Sequence, residues 1–294
     1  MDKLVSPRKT AEVLQKYDIK PNKKYGQNFL IDENVLSKIL QVCDLSPQDH
    51  VLEIGPGIGT LTQVLCPRAK MVTAVEVDRR LISILQETLE DCRNLQLIQG
   101  DILKMDLQEL LSQVSKERKC KVISNLPYNI TTPLIMKLLE VRDPIETMVF
   151  MVQREAAQRI TAGPGGKDYG AVSVLVQFYS KAETVFNISP RVFIPPPEVE
   201  SSLIKITIRE RLLYSVRDEK LLAEVVRGSF QHRRKSILNS LSASLKMNKG
   251  KLSELIKEAG IEPSCRAESL SPAEFANLTN FLYNIIGDNN RTKI

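Results

Sequence analysis

Between residues 48 and 150, short apolar stretches alternate with segments of helical periodicity. Strands are predicted where apolar and β-branched residues run together, at 51–54, 71–77, 95–99, 121–124 and 147–152. Helices are predicted over 61–65 and over 79–90, where Leu81, Ile84 and Leu85 recur with a period of about 3.6 residues. Apolar strands that alternate with helices are typical of a buried parallel sheet with helices on both faces.

The pattern changes towards the carboxyl end. Residues 171–178 fit a helix or a further strand, the triple proline at 195–197 forms a rigid connector, and 203–208 is predicted to close the sheet. Beyond residue 209 only helices are predicted, over 221–230, 236–245, 252–259 and 273–286. We therefore predict an α/β, Rossmann-like sheet domain over 25–208 and a small all-α domain over 209–286. A basic N-terminal arm (1–24) and a flexible tail (287–294) flank them.

Composition narrows the class of protein. The chain has 294 residues, of which 43% are hydrophobic, and no apolar run approaches the roughly 18 residues of a membrane helix. The N-terminal segment lacks the apolar region of a secretory signal, and the five cysteines form no CxxC pair. With only His50 and His232 as imidazole ligands, no metal site is expected. These features predict a cytoplasmic protein with reduced thiols and no membrane partner.

The charge is concentrated at the two ends of the chain. Residues 1–24 hold seven Lys/Arg and three Asp/Glu, and residues 206–294 hold fifteen and ten, whereas the centre is slightly acidic. Clustered cations attract a polyanion because they release its condensed counterions. Nucleic acid is therefore the favoured partner, and a pair of solvated basic faces is the alternative.

A glycine-rich turn, Gly55-Pro56-Gly57-Ile58-Gly59-Thr60, follows the first predicted strand. Glycine lets the backbone turn sharply and approach a ligand closely. The dinucleotide fingerprint needs Gly or Ala where Thr60 stands, and the sequence has no GxxxxGK[ST] loop for ATP or GTP. The turn therefore either binds another ligand or is only a tight connection between a strand and a helix.

Two acidic residues at successive strand ends favour a ligand. Glu76 ends the second predicted strand, where its carboxylate can accept bonds from both hydroxyls of a ribose, and Asp101 follows the third, where it can accept one from an adenine amino group. An adenosine with an uncharged linker fits these groups, and S-adenosylmethionine is such a ligand. Gly55, Gly57, Glu76 and Asp101 are therefore predicted cofactor residues.

The segment Asn125-Leu126-Pro127-Tyr128 follows the fourth predicted strand, at the edge where open α/β sheets bind ligands. The Asn125 side-chain oxygen and the Pro127 carbonyl can accept the two N–H bonds of an adenine amino group. This localises the nitrogen lone pair and stabilises the cation that develops during methyl transfer. Tyr128 can stack on a base drawn out of its helix. We predict that these three residues carry transfer.

Taken together, these motifs closely resemble the rRNA adenine N6,N6-dimethyltransferases, in particular the KsgA/RsmA-type small-subunit branch, the dimethyladenosine transferases. The resemblance spans nearly the whole chain in order. It rests on 25–30 (YGQNFL), 53–62 (EIGPGIGTLT), 125–133 (NLPYNITTP), 192–197 (VFIPPP), 230–236 (FQHRRKS) and 266–271 (RAESLS). It implies a class I, S-adenosylmethionine-dependent methyltransferase sheet over 25–208 and an RNA-binding helical domain over 209–286.

The resemblance also implies a substrate and further site residues. The reaction would be dimethylation of two adjacent adenosines in a hairpin loop near the 3′ end of small-subunit rRNA, late in assembly of the small ribosomal subunit. Asn28 and Leu30 would line the cofactor site with Asn125, and Phe193 would stack on the target adenine opposite Tyr128. The family usually has Gln where His232 stands. We expect the residues that follow it to contact RNA phosphates, namely Arg233, Arg234 and Lys235.

Three alternatives remain open at this point. One is the related large-subunit rRNA dimethyltransferase of the macrolide-resistance type, against which the 266–271 segment and the basic helix argue. Another is an RNA-binding assembly factor whose catalysis is dispensable, although the intact 125–128 motif favours an enzyme. DNA amino-methylation is less favoured, because those enzymes commonly carry an acidic or Ser residue and two prolines at this loop. We expect a monomer.

Overall fold

Two compact units make up the chain. The first comprises Met1–Ala157 and Ala182–Ile208, and the second Gln158–Lys181 and Arg209–Ile294. This computed structural model describes residues 3–21, 26–115, 118–232 and 234–291, of which 286–291 are described by their backbone alone. The chain passes into the second unit after residue 208, but 158–181 also belongs to that unit, whereas the sequence pattern placed it in the sheet domain.

Six of the nine described strands follow the predicted apolar runs. The nine are β1 Phe29–Leu30, β2 His50–Ile54, β3 Met71–Glu76, β4 Leu95–Gln99, β5 Cys120–Asn125, β6 Ile145–Gln153, β7 Ser180–Ile188, β8 Phe193–Ile194 and β9 Ser201–Ile208. Seven of these described strands form one sheet in the order β4-β3-β2-β5-β6-β9-β7, in which neighbours from β4 to β6 are parallel. The short strands β1 and β8 pair antiparallel with each other. The predicted α/β class is confirmed.

The far edge of the sheet differs from the prediction. Strand β9 does not close the sheet, because it lies between β6 and β7 and runs antiparallel to β6. The edge strand β7 escaped prediction because many of its residues are exposed and several are polar, among them Lys181, Glu183 and Thr184. A half-exposed edge strand lacks the continuous apolar run that identifies a buried one.

The helices are α1 Pro7–Lys16, α2 Glu33–Cys43, α3 Thr62–Leu65, α4 Arg79–Thr88, α5 Leu107–Val114, α6 Thr131–Glu140, α7 Arg154–Thr161, α8 Ala171–Tyr179, α9 Glu219–Phe230, α10 Ile237–Leu245, α11 Lys249–Glu258 and α12 Pro272–Arg291. Residues 171–178 therefore belong to a helix. Helix α12 includes residues 287–291, which we predicted as a flexible tail, and residues 292–294 lie outside the described ranges.

The periodic leucines and isoleucines of α4 face the core of the first unit. Leu81, Ile84 and Leu85 are fully buried there, in a cluster that includes Phe29 and Ile58 of the segments that form the candidate site. The second unit has its own aromatic core, in which Tyr169 and Phe275 flank Phe230 with ring-centroid distances of 6.0 and 5.9 Å.

The basic N-terminal segment is a docked helix and not an extended arm. Lys3 forms an ion pair with Glu33, and Lys16 forms one with Glu87 of α4. Within α1, Arg8 pairs with Glu12 at 2.8 Å. These acids offset much of the positive charge that the composition suggested for an RNA surface. Residues 22–24 of the predicted arm lie outside the described ranges.

Candidate functional site

The candidate site lies where the winding of the sheet reverses. From β2 the chain proceeds outward to β3 and β4 and then returns to β5 on the other side of β2, and ligands of open α/β sheets bind at such switch points. A cavity of about 370 Å³ opens there. Its lining includes every predicted cofactor residue, namely Asn28, Leu30, Gly55, Gly57, Glu76, Asp101 and Asn125, as well as Pro127.

The glycine turn adopts backbone conformations that explain its composition. Gly55 and Gly57 have φ angles of +69° and +63°, in the left-handed region that favours glycine. A Cβ on Gly57 would lie 3.1 Å from the Phe29 ring, so the turn packs closely on the segment that carries Asn28 and Leu30. The turn is therefore fixed against β1 while its inner face lines the cavity.

Glu76 is positioned by backbone N–H groups. One carboxylate oxygen accepts a bond from Asp78 N at 2.8 Å, and the other accepts one from Gly57 N at 3.3 Å. Burial raises the pKa of Glu76, and these two donors act in the opposite direction. The carboxylate thus joins the glycine turn to the end of β3 at the cavity wall, where the prediction requires it.

Asp78 and Gln27 support this wall, and the sequence patterns did not single them out. Gln27 donates to the Asp78 carboxylate at 3.0 Å, and Asp78 also caps α4 by accepting from Arg80 N at 3.1 Å. The neighbouring Arg80 guanidinium holds the pKa of Asp78 below its usual range. Asp78 therefore stays ionised and links the 26–30 segment to the N-terminus of α4.

Asp101 lies at the end of β4 beside Gly100, whose N–H donates to the Glu76 carbonyl at 2.9 Å. One Asp101 oxygen accepts from Leu103 N at 3.1 Å, and the other is 3.6 Å from Lys104 Nζ. The side chain is partly exposed at the cavity and keeps lone pairs available for a further donor.

Glu53, inside β2, is a residue of the site that the sequence patterns missed. It is 1% exposed, lines the cavity, and its Oε2 atom has no hydrogen-bond partner among the described residues. Burial raises the pKa of Glu53 to about 8, and the negative charge of Glu76 acts in the same direction. Glu53 was not identified from the sequence because it lies within an otherwise apolar strand. An acidic residue in such a strand is nevertheless a signal of a functional site.

Asn125, the last residue of β5, has a fixed side-chain orientation. Its amide nitrogen donates to the Asn28 carbonyl at 2.9 Å, and the Asn28 side chain in turn donates to Gly26 O at 3.1 Å. Since the nitrogen is committed to Asn28, the Asn125 side-chain oxygen remains as an acceptor at the cavity. This is the group that the prediction assigns to an adenine amino group.

Pro127 and Tyr128 follow in a tight turn. The Pro127 carbonyl already accepts from Ile130 N at 3.2 Å and from the Thr131 hydroxyl at 3.4 Å, both long bonds that an incoming N–H donor would compete with. The Tyr128 hydroxyl lies 2.8 Å from Ser201 Oγ. Burial raises the pKa of Tyr128, so its hydroxyl stays protonated at neutral pH.

The structure places Phe193 in the hydrophobic core. It is 2% exposed and packs in the hydrophobic core with Leu30, its partner in the β1–β8 pair, and with Val149 and Met151. An aromatic side chain in a short strand between two apolar layers gains more from burial than from exposure at a cavity. In this arrangement its ring does not line the cavity.

The basic residues of the second unit lie on exposed positions. Arg234 and Lys235 are exposed just before α10, whereas the predicted RNA residue Arg233 lies outside the described ranges. The patterns missed further lysines, although residues 231–257 hold seven Lys/Arg and one acid. Those in the described part are exposed on α11 or just before it, namely Lys246, Lys249, Lys251 and Lys257.

Two kinds of feature are absent from the part of the chain that the structure describes. No helix there combines the length and apolarity needed to cross a membrane. Nor does this part of the chain bring together three or more His, Cys, Asp or Glu side chains that could hold a metal ion.

Similarity to known proteins extends over almost the whole chain. A family model described as ribosomal RNA adenine dimethylase matches residues 19–284. A protein from Alkaliphilus metalliredigens named ribosomal RNA small subunit methyltransferase A is 45% identical over 280 residues, which are 95% of this chain and 98% of that protein. One of the same name from Clostridioides difficile is 45% identical over 282 residues, 96% and 98% of the two chains.

Solved structures show the same fold. A dimethyladenosine transferase from Plasmodium falciparum aligns with a TM-score of 0.72 and 26% identity, covering 88% of this chain and 98% of that one. The 23S rRNA methyltransferase ErmE aligns with a TM-score of 0.65 and 26% identity, covering 87% and 99%. The similarity therefore includes both units.

Proposed function

This chain belongs to the ribosomal RNA adenine dimethylase family, and we propose that it dimethylates the N6 amino groups of two adjacent adenosines in small-subunit rRNA. The proposal rests chiefly on the orientation of the Asn125 side chain. Its nitrogen donates to the Asn28 carbonyl, so its oxygen remains as an acceptor at the cavity. Relatives with 45% identity over nearly the full chain are named for the small subunit, which favours it over the large subunit as substrate.

The cavity residues fit S-adenosylmethionine. When bound, this cofactor supplies a methyl group on a positively charged sulfur. The left-handed glycines Gly55 and Gly57 line the cavity, and Glu76 presents a carboxylate suited to ribose hydroxyls at the end of β3. Asp101 keeps acceptor capacity for an adenine amino group, and the unpaired Glu53 oxygen adds polar capacity to the cavity wall.

Asn125 and Pro127 prepare the target nitrogen. The lone pair of an adenine amino group is delocalised into the ring, so the group is a weak nucleophile. Two acceptors that take its N–H bonds localise that lone pair and stabilise the positive charge that develops on nitrogen. Tyr128 holds the base by its ring face. Its hydroxyl is occupied by Ser201, so the chain uses Tyr128 for stacking and not as a base.

Dimethylation requires the site to accept a monomethylated nitrogen. Only one N–H then remains, and Asn125 is the better acceptor because the Pro127 carbonyl already has two local donors. We expect the first methyl group to point towards the Pro127 carbonyl. That carbonyl then loses its bond from the adenine N–H but keeps those from Ile130 N and the Thr131 hydroxyl. The second transfer then proceeds from the same base position.

Dimethyladenosine is therefore expected to dominate at completion, with monomethyladenosine appearing only transiently. The measurement is a time course of methyl transfer to small-subunit particles, followed by nuclease digestion and mass spectrometry of the nucleosides. A stable plateau of monomethyladenosine under excess cofactor would contradict this expectation.

We further propose that the exposed cations around α10 and α11 contact rRNA phosphates. Lys249 Nζ donates to Asn239 Oδ1 at 2.8 Å, and Asn239 is linked to Ser236, the N-cap of α10. Arg234 and Lys235 precede that cap, so exposed cations lie in the connections on both sides of α10 and on α11. Phosphate contacts position an RNA without reading its bases, so they recognise the shape of folded rRNA.

Reversing two of these charges, Arg234→Glu with Lys235→Glu, is expected to lower affinity for small-subunit particles about tenfold at moderate salt. The slope of log affinity against log salt should become shallower by about 1.5, since each lost phosphate contact removes roughly 0.7–0.9. Filter binding across a salt series measures both quantities, and calorimetry with S-adenosylmethionine should give an unchanged affinity for the cofactor.

The matched control is Arg211→Glu with Lys220→Glu, an equal charge change at exposed positions of the same unit outside residues 231–257. It should leave the salt slope close to that of the wild type. Equal effects of the two double variants would show that only overall charge matters, and would refute a specific basic face.

The proposed substrate is the assembling small subunit, in the cytoplasm, and the proposed enzyme is a monomer. Purified protein with labelled S-adenosylmethionine should methylate partly assembled small-subunit particles far better than a short hairpin with the same two adenosines. Equal efficiency on both would place recognition in the loop sequence. Methylation of large-subunit particles instead would contradict the proposed substrate.

A further inference from the structure

The Tyr128 hydroxyl is hydrogen-bonded to a residue that lies 73 positions away in the sequence. Ser201 Oγ is 2.8 Å from the Tyr128 oxygen. Ser201 is the first residue of β9 and is only 1% exposed, so its hydroxyl is held inside the protein. Tyr128 itself begins a single short 3₁₀ turn over residues 128–130.

We propose that Ser201 is a positioning residue for methyl transfer: its hydroxyl holds the Tyr128 ring in the orientation that stacks on the target adenine. The inference rests on the proposed function, in which Tyr128 contacts that base. Nothing in the sequence patterns singled out Ser201.

The sheet makes Ser201 a rigid anchor. In the antiparallel register of β9 with β6, Ser201 pairs with Gln153 and Ser202 pairs with Val152. The backbone N–H of Arg154 also donates to the carbonyl of the preceding Glu200 at 2.9 Å. A tyrosine ring turns about two torsions, and a bond from its far end to a fixed strand restricts both of them.

Asn125, the other functional side chain of the 125–128 motif, is also held by a hydrogen bond to a distant element. Asn125 is oriented by the Asn28 carbonyl, just before β1, and Tyr128 is oriented by Ser201 of β9. Two side chains that must meet one adenine are thus each held by a different element. Hydrogen bonds of this kind hold the reacting groups close to the positions and orientations that methyl transfer requires.

The chain offers a closely matched control in Ser202. It is also fully buried, it is the next residue of the same strand, and its hydroxyl makes a bond of the same length, 2.8 Å, to Asn187 Oδ1. Ser202→Ala therefore removes an equivalent hydrogen bond without touching Tyr128. Ser202→Ala therefore measures how the loss of a buried hydrogen bond in β9 affects activity when Tyr128 is not involved.

The experiment compares Ser201→Ala, Tyr128→Phe, the double variant, Ser201→Thr and Ser202→Ala in methyl transfer to small-subunit particles. Ser201→Ala and Tyr128→Phe should each lower kcat about five- to tenfold, as expected for one lost hydrogen bond. KM for S-adenosylmethionine should stay within twofold. The double variant should be no slower than either single one, Ser201→Thr should recover most of the rate, and Ser202→Ala should keep it.

The proposal is overturned if Ser201→Ala is no slower than Ser202→Ala, if Tyr128→Phe keeps the full rate, or if the two losses multiply in the double variant. If Ser201→Ala does not fold, Tyr128→Phe and Ser201→Thr still decide it, because one deletes and the other retains the bond. Tyr128→Ala distinguishes a failure of the role of Ser201 from a failure of the role of Tyr128. If Tyr128→Ala retains wild-type kcat, then the role of Tyr128 in the proposed function is wrong as well.

Discussion

Replacing Asn125 by Ala is expected to lower kcat about 10²- to 10³-fold while changing the affinity for S-adenosylmethionine less than about fivefold. An acceptor aimed at charge that develops during the reaction contributes mainly to the transition state, and loss of one such group costs about that factor. The bond from Asn125 to Asn28 is lost too, but the carbonyl of Asn28 can be solvated at the cavity.

Glu76→Ala should give the opposite result. Loss of charge-assisted hydrogen bonds to a ribose is expected to weaken cofactor binding by about 1–3 kcal/mol, roughly 5- to 150-fold. Saturating cofactor should then restore most of kcat. Calorimetry for the affinity and methyl transfer to small-subunit particles for kcat provide the two readouts, and melting temperatures confirm that both variants fold.

Each of the two variants serves as the control for the other. Equal cofactor affinity in wild type and Glu76→Ala would refute the ribose assignment. An Asn125→Ala variant that keeps kcat within a few-fold of wild type would refute its role as the acceptor in transfer. It would also favour the alternative of an assembly factor with dispensable catalysis.

The stability of the ligand-free protein is expected to fall between pH 5 and pH 9 by about 3–5 kcal/mol more in wild type than in Glu53→Gln. Burial raises the pKa of Glu53 from 4.5 to about 8. Each pKa unit corresponds to about 1.4 kcal/mol of difference between the folded and unfolded states. The carboxyl is therefore costly to bury once it ionises.

The sign follows from proton binding. Between pH 4.5 and about 8 the folded protein keeps a proton on Glu53 that the unfolded chain has released, so stability falls as the pH rises through this window. Below pH 4.5 both states are protonated and the difference between wild type and Glu53→Gln becomes constant. Glu76, whose pKa burial also raises, contributes in the same direction to both proteins.

Thermal unfolding over a pH series tests this expectation, and the difference amounts to roughly 5–15 °C between the ends of the range. Glu90→Gln is the matched control, because Glu90 is an exposed carboxylate of the same unit. Parallel pH profiles for wild type, Glu53→Gln and Glu90→Gln would show that Glu53 does not hold a proton in the folded protein.

Much of the site could be predicted from the sequence because its residues follow apolar strands. Buried parallel strands are continuous hydrophobic runs, so the residues at their carboxyl ends can be identified by position alone. Glycine turns and acids at those ends then lie at one edge of the sheet. Glu76, Asp101 and Asn125 were identified in this way, and the structure brings all three to one cavity.

What the sequence did not reveal depends on contacts between distant residues. Ser201 meets Tyr128 only because β9 folds back beside β6, and no local pattern marks such a serine. The positive charge of the N-terminal segment is offset by acids 30 and 71 residues away, Glu33 and Glu87. Phe193 was assigned by resemblance, and the local packing of β8 against β1 decides its burial instead.

The most direct test of the proposed function is mass mapping of ribosomal RNA from cells with and without the gene for this chain. Small-subunit rRNA from cells that carry it should contain two adjacent N6,N6-dimethyladenosines near the 3′ end, and deletion should leave both adenosines unmethylated. The intact gene should restore them, whereas an Asn125→Ala copy should not. If deletion leaves these dimethyladenosines in place, or removes methyl groups from large-subunit rRNA instead, the proposed function is wrong.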